Sequence, residues 1–217
     1  MYKDLKYSRL YQLKMYDKEE RTSFWLYFVL LLLVVLLVFL RGWWTKNFGG
    51  VEVDGSSMYR TLQDGDKLLM KYVDDADDLR RGDIIVVYVG GYPECSSIKG
   101  GYLIKRLIAT EGDKVKCEDG QISIWYSGSD GYVELDEPYA YYMNAAAYDF
   151  KEYTVGEGEI FFLGDNRNNS CDSRYNEQSG SHLKDSLYKA EDVFGIVPNW
   201  AVEHADALEK IFFRKHT

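Results

Sequence analysis

The stretch Phe24–Leu40, FWLYFVLLLLVVLLVFL, decides the architecture of this chain of 217 residues. No charged residue occurs from Thr22 to Leu40. A helix over that stretch, rising 1.5 Å per residue, would cover roughly 28 Å, close to the thickness of the bilayer hydrocarbon. The run is apolar on every side, whereas a helix packed on a soluble core carries an apolar stripe. We therefore predict a transmembrane helix with its interface at residues 22–44, where Trp43 and Trp44 supply interfacial aromatics.

A cleaved signal peptide is the main alternative for this run. The run is long for such a peptide, and the stretch that follows it, RGWWTKNFGG, lacks a small-x-small cleavage site. Lys and Arg are concentrated before the run, while only Arg41 and Lys46 follow it closely. The positive-inside rule predicts that residues 1–21 form a basic cytoplasmic N-terminus and that residues 45–217 form an extracytoplasmic domain.

Charge and cysteine content limit the function of that domain. Because the whole chain carries −9 and the first 46 residues carry +4, residues 47–217 carry −13. A domain with this much negative charge is not expected to bind nucleic acid. Cys95, Cys117 and Cys171 have no metal-site spacing, and a single bridge, such as Cys95 to Cys117, is left open. The histidines stand in polar or C-terminal stretches, where nothing indicates a triad; they are His182, His204 and His216.

Beyond the apolar run, short strand-forming segments alternate with turn signals such as Arg81-Gly82-Asp83 and Glu111-Gly112-Asp113. The predicted fold is a single N-terminal transmembrane helix plus a mostly antiparallel β outer domain with few helices. Asp130–Phe150 is rich in Tyr and irregular. We interpret it as an insertion with aromatics packed on a sheet, rather than as a substrate-side or membrane-skimming surface. The predicted strands are Lys67–Val73, Asp83–Val89, Tyr102–Ala109, Lys114–Cys117, Gln121–Tyr126 and Glu159–Leu163.

Two segments supply a candidate nucleophile and base. Gly55-Ser56-Ser57-Met58 offers a hydroxyl on a turn whose backbone N–H groups can face a substrate carbonyl, although Gly-Ser-Ser is also common in ordinary turns. Lys105 shares a strand face with Leu103 and Leu107, and apolar surroundings lower a lysine pKa, which favours a neutral amine. The alternative for Lys105 is a solvated edge-strand lysine. Arg106 alternates to the opposite side and is interpreted as a surface or structural residue.

A third polar segment follows the predicted strand Glu159–Leu163. The run Gly164–Arg174, GDNRNNSCDSR, combines short polar side chains with both signs of charge. We predict a hydrogen-bonded loop in which Asp172 and Arg174 pair and Ser170 bonds a neighbouring amine. A solvated turn is the alternative, and a calcium loop is disfavoured because two Asp with two Arg make a poor oxygen cage.

The segments VDGSSMYRTL, RGDIIVV, LIKRLIATEGD and FLGDNRNNSCDSR follow one anchor in this order. In that arrangement the chain resembles the bacterial type I signal peptidases of peptidase family S26, in particular the Gram-positive members, over roughly residues 20–175. The resemblance implies that Ser57 is the nucleophile, Lys105 the general base and Ser170 the residue that orients the lysine. Supporting roles follow for Asp165, Asn166, Arg167, Asp172 and Arg174.

Two of the departures from the family pattern lie in the loop around Ser57. Arg60 stands where the family usually has proline in Ser-Met-x-Pro-Thr-Leu, so we expect a more mobile loop around Ser57. Gly55 stands where some members have a serine that assists the oxyanion hole. Gram-positive members carry Gly there, and the hole would rely on the Ser57 backbone N–H.

The resemblance also implies substrate and location. The substrates would be the signal peptides of exported preproteins, cut after small residues in Ala-x-Ala through an acyl-enzyme, by a single-pass protein of the bacterial cell membrane in contact with the bilayer. No metal or organic cofactor is implied. An exposed strand at Val51–Asp54 would pair with extended substrate. The residues expected around the substrate are Val51, Val53, Met58, Leu62, Leu103 and Ile104.

Three other functions compete with general signal-peptide removal. A self-cleaving DNA-binding repressor is contradicted by the anchor and by the acidic charge. A specialised pilin-type processing enzyme is compatible with every motif. A catalytically idle, membrane-tethered assembly factor would keep its function after Ser57→Ala.

Overall fold

The structure, a computed structural model, describes residues 2–92, 98–143, 149–174 and 188–213. The chain divides into two compact units, one ending at Asn47 and the other beginning at Phe48. The boundary expected from the sequence, between residues 44 and 45, lies three residues earlier.

The first unit is one helix, α1 (Tyr2–Asn47). Within it, Ser23–Asn47 is long and apolar enough to cross a membrane. Large apolar side chains from Phe24 to Leu40 are exposed all round the helix, which suits a lipid surrounding and agrees with the predicted span. The helix begins well before the span. At its other end, the Thr45 hydroxyl donates to Arg41 O (3.1 Å) and the Asn47 side chain to Trp43 O (2.6 Å), which satisfies terminal carbonyls.

The second unit contains two antiparallel sheets and two short helices. The strands are β1 (Phe48–Glu52), β2 (Lys67–Tyr72), β3 (Ile84–Tyr88), β4 (Tyr102–Thr110), β5 (Lys114–Glu118), β6 (Gln121–Trp125), β7 (Val133–Glu134), β8 (Phe150–Thr154), β9 (Glu159–Leu163), β10 (Tyr188–Lys189) and β11 (Val193–Val197). The helices are α2 (Asn199–Glu203) and α3 (Ala205–Phe212). Single 3₁₀ turns occur at Ala76–Asp78, Lys99–Gly101 and Ala190–Asp192.

The sheet topology places β4 near the centre of the unit. One sheet has the order β1-β2-β11-β3-β4-β9-β10 and the other β7-β6-β5-β8. A core that includes Ile85, Leu107 and Phe162 covers one face of the first sheet, and a second core around Val115 and Phe161 lies between β9 and the smaller sheet. Because residues 105–109 of β4 are buried on both faces, a polar side chain among them requires a partner inside the protein.

The predicted β fold is confirmed, and all six predicted strands are present with bounds that differ by at most one residue at either end. Missing from the prediction were β7, β8, β10 and β11, which are short or lack strict alternation. The irregular segment Asp130–Phe150 contains only β7 and the first residue of β8 among its described residues. Its tyrosines at 139, 141 and 142 are half-buried, as expected for an insertion packed on the domain, whereas Tyr132 and Met143 are exposed.

The expected exposed strand at Val51–Asp54 is wrong in its position. β1 ends at Glu52, and Val53 is only 5% exposed. The backbone N–H of Val53 donates to Asp66 O and its carbonyl accepts from Gly65 N, both at 2.9 Å. These bonds fix the chain beside the residues that precede β2, so the Val53 side chain packs inward. β1 itself lies at an edge of the described sheet.

Candidate active site

The loop between β1 and β2 carries Ser57. Tyr59 N donates to Ser56 O (3.1 Å) and Leu62 N to Met58 O (2.9 Å), which winds the residues after the serine into tight turns. The side chains of Met58 and Leu62 are fully buried and anchor this turn in the core. Ser57 itself is half-exposed, so its hydroxyl is open to a substrate on one side.

Lys105 reaches Ser57 from β4. The distance between Lys105 Nζ and Ser57 Oγ is 2.7 Å, within hydrogen-bond range, and either group can donate according to where the proton lies. Nζ also donates to Ile104 O at 2.9 Å. Only 2% of Lys105 is exposed, and its strand neighbour across β3 is Ile85. Burial removes the hydration that an ammonium ion needs, so a charged Lys105 would depend on partners such as Ser57 Oγ and the Ile104 carbonyl.

The polar loop after β9 holds the serine loop in place. Asn166 N donates to Ser57 O (2.9 Å), and Asn166 Nδ2 donates to Ser56 O (3.0 Å). Asn169 Nδ2 donates to Ser56 Oγ (3.1 Å). This proximity follows from register, because Leu163 at the end of β9 pairs with Arg106, and the loop therefore starts beside Lys105.

A buried ion pair joins β4 to the same loop. Arg106 donates from Nε and Nη2 to the two carboxylate oxygens of Asp165, at 2.8 and 2.6 Å, and Asp165 is completely buried. Thr61 Oγ1 donates to the same carboxylate at 2.5 Å. Arg106 is therefore structural, which resolves the alternative left open by the sequence.

Two further ion pairs stiffen the loop. Arg174 and Asp172 pair as predicted, with Arg174 Nε 2.8 Å from Asp172 Oδ1. Burial acts to raise the Asp172 pKa, but the charge and hydrogen bonds of Arg174 outweigh it, and the pKa lies below its ordinary value. Arg167 pairs with Glu137 at 2.6 Å. Burial acts to lower the Arg167 pKa, and the hydrogen bonds and charge of Glu137 reverse this effect and raise it.

Ser170 lies close to the loop that carries Ser57, and Gly164 is packed between the two residues. A Cβ atom built on Gly164 would lie 2.6 Å from Ser57 O and closer still to the Ser170 hydroxyl. The Ser170 hydroxyl is buried and makes no hydrogen bond of ordinary geometry to a described residue. It nevertheless lies close enough to the Asp172 carboxylate to help lower the pKa of that group. The hydrogen bond from Ser170 to Lys105 is thus not formed here, and its orienting role stays a prediction.

The close contacts at Gly164 predict a strong effect of adding one methyl group there. We expect Gly164→Ala to lower stability by about 1–3 kcal/mol through overpacking. It should also lower kcat, because the methyl group pushes against the Ser57 carbonyl. Activity and urea denaturation of the purified variant check this, with Gly128→Ala as the matched control. Gly128 has open space around it, although its positive φ adds backbone strain of its own. Unchanged activity and stability in Gly164→Ala would contradict the packing described here.

The residues expected around the substrate fall into two groups. Met58, Leu62 and Val53 are buried and support the site from within the core. Val51, Leu103 and Ile104 are half-exposed and are available to an extended ligand.

The sequence analysis missed the contribution of the Tyr-rich segment. Glu137 and Tyr142 both contact Arg167, and the ring centroid of Tyr139 lies 3.8 Å from the guanidinium carbon of Arg106. The density of Tyr between residues 130 and 150 was the available signal, but nothing local indicated arginine partners.

Cysteine and metal chemistry contribute nothing visible to the site. Within the described ranges, no group of three or more His, Cys, Asp or Glu side chains could hold a metal ion. Cys117 is a buried free thiol, and burial raises its pKa to about 11. Cys95, His182 and His216 lie outside the described residues, and so does any bridge to Cys95.

A serine hydroxyl within hydrogen-bond distance of a buried lysine amine is the arrangement that a serine nucleophile and its base require. The family model described as signal peptidase, peptidase S26, matches residues 23–199. The chain belongs to this family. The bacterial type I resemblance inferred from the four motifs is confirmed by this match and by the bacterial relatives.

Individual relatives cover part of the chain. Signal peptidase I T of Bacillus subtilis (strain 168) is 35% identical over 127 residues, which are 56% of this chain and 61% of that protein. Signal peptidase I of Bacillus licheniformis is 31% identical over 154 residues, covering 67% and 74%. A crystal structure of a signal peptidase I from Enterococcus faecalis V583 aligns with 29% identity and a TM-score of 0.40, over 56% of this chain and 97% of that one.

Proposed function

We propose that this chain is a membrane-bound serine endopeptidase that removes signal peptides from exported preproteins. The observation that carries the proposal is the 2.7 Å contact between Ser57 Oγ and the buried Lys105 Nζ, in a chain of the signal peptidase family. Neither the contact nor the family match suffices alone. A serine near a lysine is common on protein surfaces, and family membership does not identify the reacting atoms.

Acylation is the first half of the proposed reaction. Neutral Lys105 accepts the hydroxyl proton of Ser57 as Oγ attacks the carbonyl carbon of the scissile peptide. The negative charge that develops on the carbonyl oxygen is stabilised by the Ser57 backbone N–H, which has no acceptor among the described residues. Lys105, now protonated, gives its proton to the leaving amine as the C–N bond breaks, and the acyl-enzyme remains.

Deacylation uses the same two residues. Lys105, neutral again, takes a proton from water, whose oxygen attacks the ester carbonyl. The Ser57 Oγ–carbon bond then breaks, and Oγ recovers its proton from Lys105. The Ile104 carbonyl accepts a hydrogen bond from Nζ at 2.9 Å and fixes the amine beside the serine in both halves. The orienting role for Ser170 that the family resemblance implies, a hydrogen bond with Nζ, is part of this proposal.

The substrate site proposed for this reaction uses the open edge of β1. An extended peptide adds a strand there through main-chain hydrogen bonds, with Val51 beside it. Leu103 and Ile104, which precede Lys105 in β4, would offer apolar contact near the reacting carbonyl. A shallow apolar site selects small residues at −1 and −3 because larger side chains overlap its walls.

The proposed topology follows from the apolar helix and the flanking charge. The span Ser23–Asn47 anchors the chain in the bacterial cell membrane, with the basic N-terminus in the cytoplasm and the β unit outside. A C-terminal reporter that is active only in the cytoplasm should therefore remain silent in cells. A strong signal would reverse the orientation.

Cleavage of a defined preprotein tests the activity. The detergent-solubilised full chain should cut a preprotein with an Ala-x-Ala site after its last Ala, as read by mass spectrometry of the products. The matched control is the same preprotein with Trp at −1. We expect it to be cut at least about 100-fold more slowly, because the indole would overlap the walls of the site by several atoms, and even one misfitted methylene group lowers kcat/KM by about 10- to 200-fold. Absence of cleavage in both would favour a tethered assembly factor, and equal cleavage of both would contradict the small-residue preference.

A further inference from the structure

Tyr141 is joined by its backbone to the loop that holds Ser57. Tyr141 N donates to Asp165 O at 2.7 Å, and Arg167 N donates to Tyr141 O at 3.0 Å. These bonds form a parallel bridge on either side of Asn166, whose own N–H donates to Ser57 O at 2.9 Å. One residue, Asn166, therefore separates the backbone of Tyr141 from that of the serine.

The ring of Tyr141 contacts the same serine loop a second time. The Tyr59 ring meets it edge-on, with centroids 5.4 Å apart and an interplanar angle of 85°. The Arg60 guanidinium carbon lies 4.9 Å from the centroid of the Tyr141 ring, a cation–π distance. Tyr59 and Arg60 follow Ser57 by two and three residues.

These two sets of contacts enclose the nucleophile. Hydrogen bonds through Asn166 fix the chain at Ser57, and the ring contacts fix it just after Met58. Arg60 stands where the family resemblance gives a proline, whose ring would restrict the backbone covalently. Here the restriction comes from outside the loop, through the ring of a residue more than 80 positions away.

The neighbouring tyrosines do not share this arrangement. Tyr139 packs on Arg106, and Tyr142 accepts a hydrogen bond from Arg167 at 2.5 Å. Arg106 belongs to β4 and Arg167 to the polar loop after β9. The ring contacts with Tyr59 and Arg60 come from Tyr141.

We propose that Tyr141 is a positioning residue for Ser57, and that Arg60 acts with it to hold the nucleophile loop in place of the proline. This inference rests on the proposed peptidase activity. It replaces the expectation of a mobile loop with that of a loop held by an aromatic clamp, defined as Tyr59, Arg60 and Tyr141.

The test measures kcat, KM and Tm of the detergent-solubilised full chain on the Ala-x-Ala preprotein. The variants are Tyr141→Phe, Tyr141→Leu, Tyr141→Ala, Arg60→Ala and the double variant Arg60→Ala with Tyr141→Ala. Tyr141→Phe keeps the ring and should stay within about twofold of wild type. Tyr141→Leu and Tyr141→Ala should lower kcat by about tenfold or more with KM nearly unchanged, because a displacement of about 1 Å at a reacting group costs on the order of 100-fold.

The double variant separates positioning from general damage. If Arg60 acts through the Tyr141 ring, the double variant should be no slower than Tyr141→Ala, because residues that act as one unit do not add. The proposal would be overturned if the double variant lost kcat by the product of the two single-variant losses. It would also be overturned by a wild-type kcat in Tyr141→Leu, or by a loss of kcat in Tyr141→Phe equal to that in Tyr141→Leu. A parallel fall in Tm and kcat across all three Tyr141 variants would also overturn it. An inert wild type rejects the peptidase proposal itself, whereas an active wild type with active variants rejects the clamp alone.

Discussion

Lys105→Met is expected to abolish peptide cleavage, lowering kcat by a factor on the order of 10⁴–10⁶, the range seen when one member of a nucleophile–base unit is removed. Methionine matches the length of the lysine stem but cannot accept the proton of Ser57. Because Lys105 is buried in an apolar surrounding, the substitution should leave the fold intact or slightly more stable. Cleavage kinetics and the circular dichroism spectrum of the purified chain give the two readouts.

Ser57→Ala should match that loss, and the double variant Ser57→Ala with Lys105→Met should be no slower than either single variant. Ser56→Ala is the matched control. Its hydroxyl accepts a hydrogen bond from Asn169, whereas Lys105 Nζ contacts the Ser57 hydroxyl, so most activity should remain. Loss of cleavage in Ser56→Ala, with cleavage retained in Ser57→Ala, would show that Ser56 rather than Ser57 is the nucleophile.

The same dyad predicts a dependence on pH. An ammonium at Lys105 has no lone pair to accept the serine proton, so kcat/KM should fall as the pH is lowered through the titration of the lysine in the free enzyme. A rate that is unchanged down to pH 5 would contradict a neutral-amine base.

Asp165→Asn is expected to cause the largest loss of stability in the β unit, about 3–5 kcal/mol in the free energy of unfolding. Asp165 is fully buried and accepts two hydrogen bonds from Arg106 and one from Thr61. The amide removes the negative charge and one acceptor, and Arg106 is left as a buried charge without its carboxylate partner. Arg106 also faces the Tyr139 ring, so the damage should spread to the insertion.

Urea denaturation of the full chain in detergent, followed by intrinsic fluorescence, measures this effect. The matched control is Asp78→Asn, which breaks the exposed Lys71–Asp78 pair at 3.9 Å and should cost about 0–1 kcal/mol. Similar losses in the two variants would show that burial of the Arg106–Asp165 pair has no special weight.

Several features of this protein follow from short stretches of sequence. The uncharged run Phe24–Leu40 defines a membrane span because its length and composition match the bilayer, whatever surrounds it. Strands such as Lys67–Tyr72 and Glu159–Leu163 are signalled by their own residues and adjacent turns. The motifs around Ser57, Lys105 and Gly164–Arg174 identified the family because their residue types occur in a fixed order.

Other features depend on residues that are distant in the chain. Local alternation placed Arg106 opposite Lys105 but could not choose between solvent and the Asp165 carboxylate, since that choice requires the pairing of β4 with β9. The inward position of Val53 depends on backbone bonds to Gly65 and Asp66. The sequence thus determined the candidate membrane span, most strands and the candidate nucleophile and base, because these are local patterns of hydrophobicity and chemistry. Only the tertiary structure decided which charges are buried together and how Tyr141 meets the nucleophile loop, because contacts between residues far apart in sequence leave no local pattern.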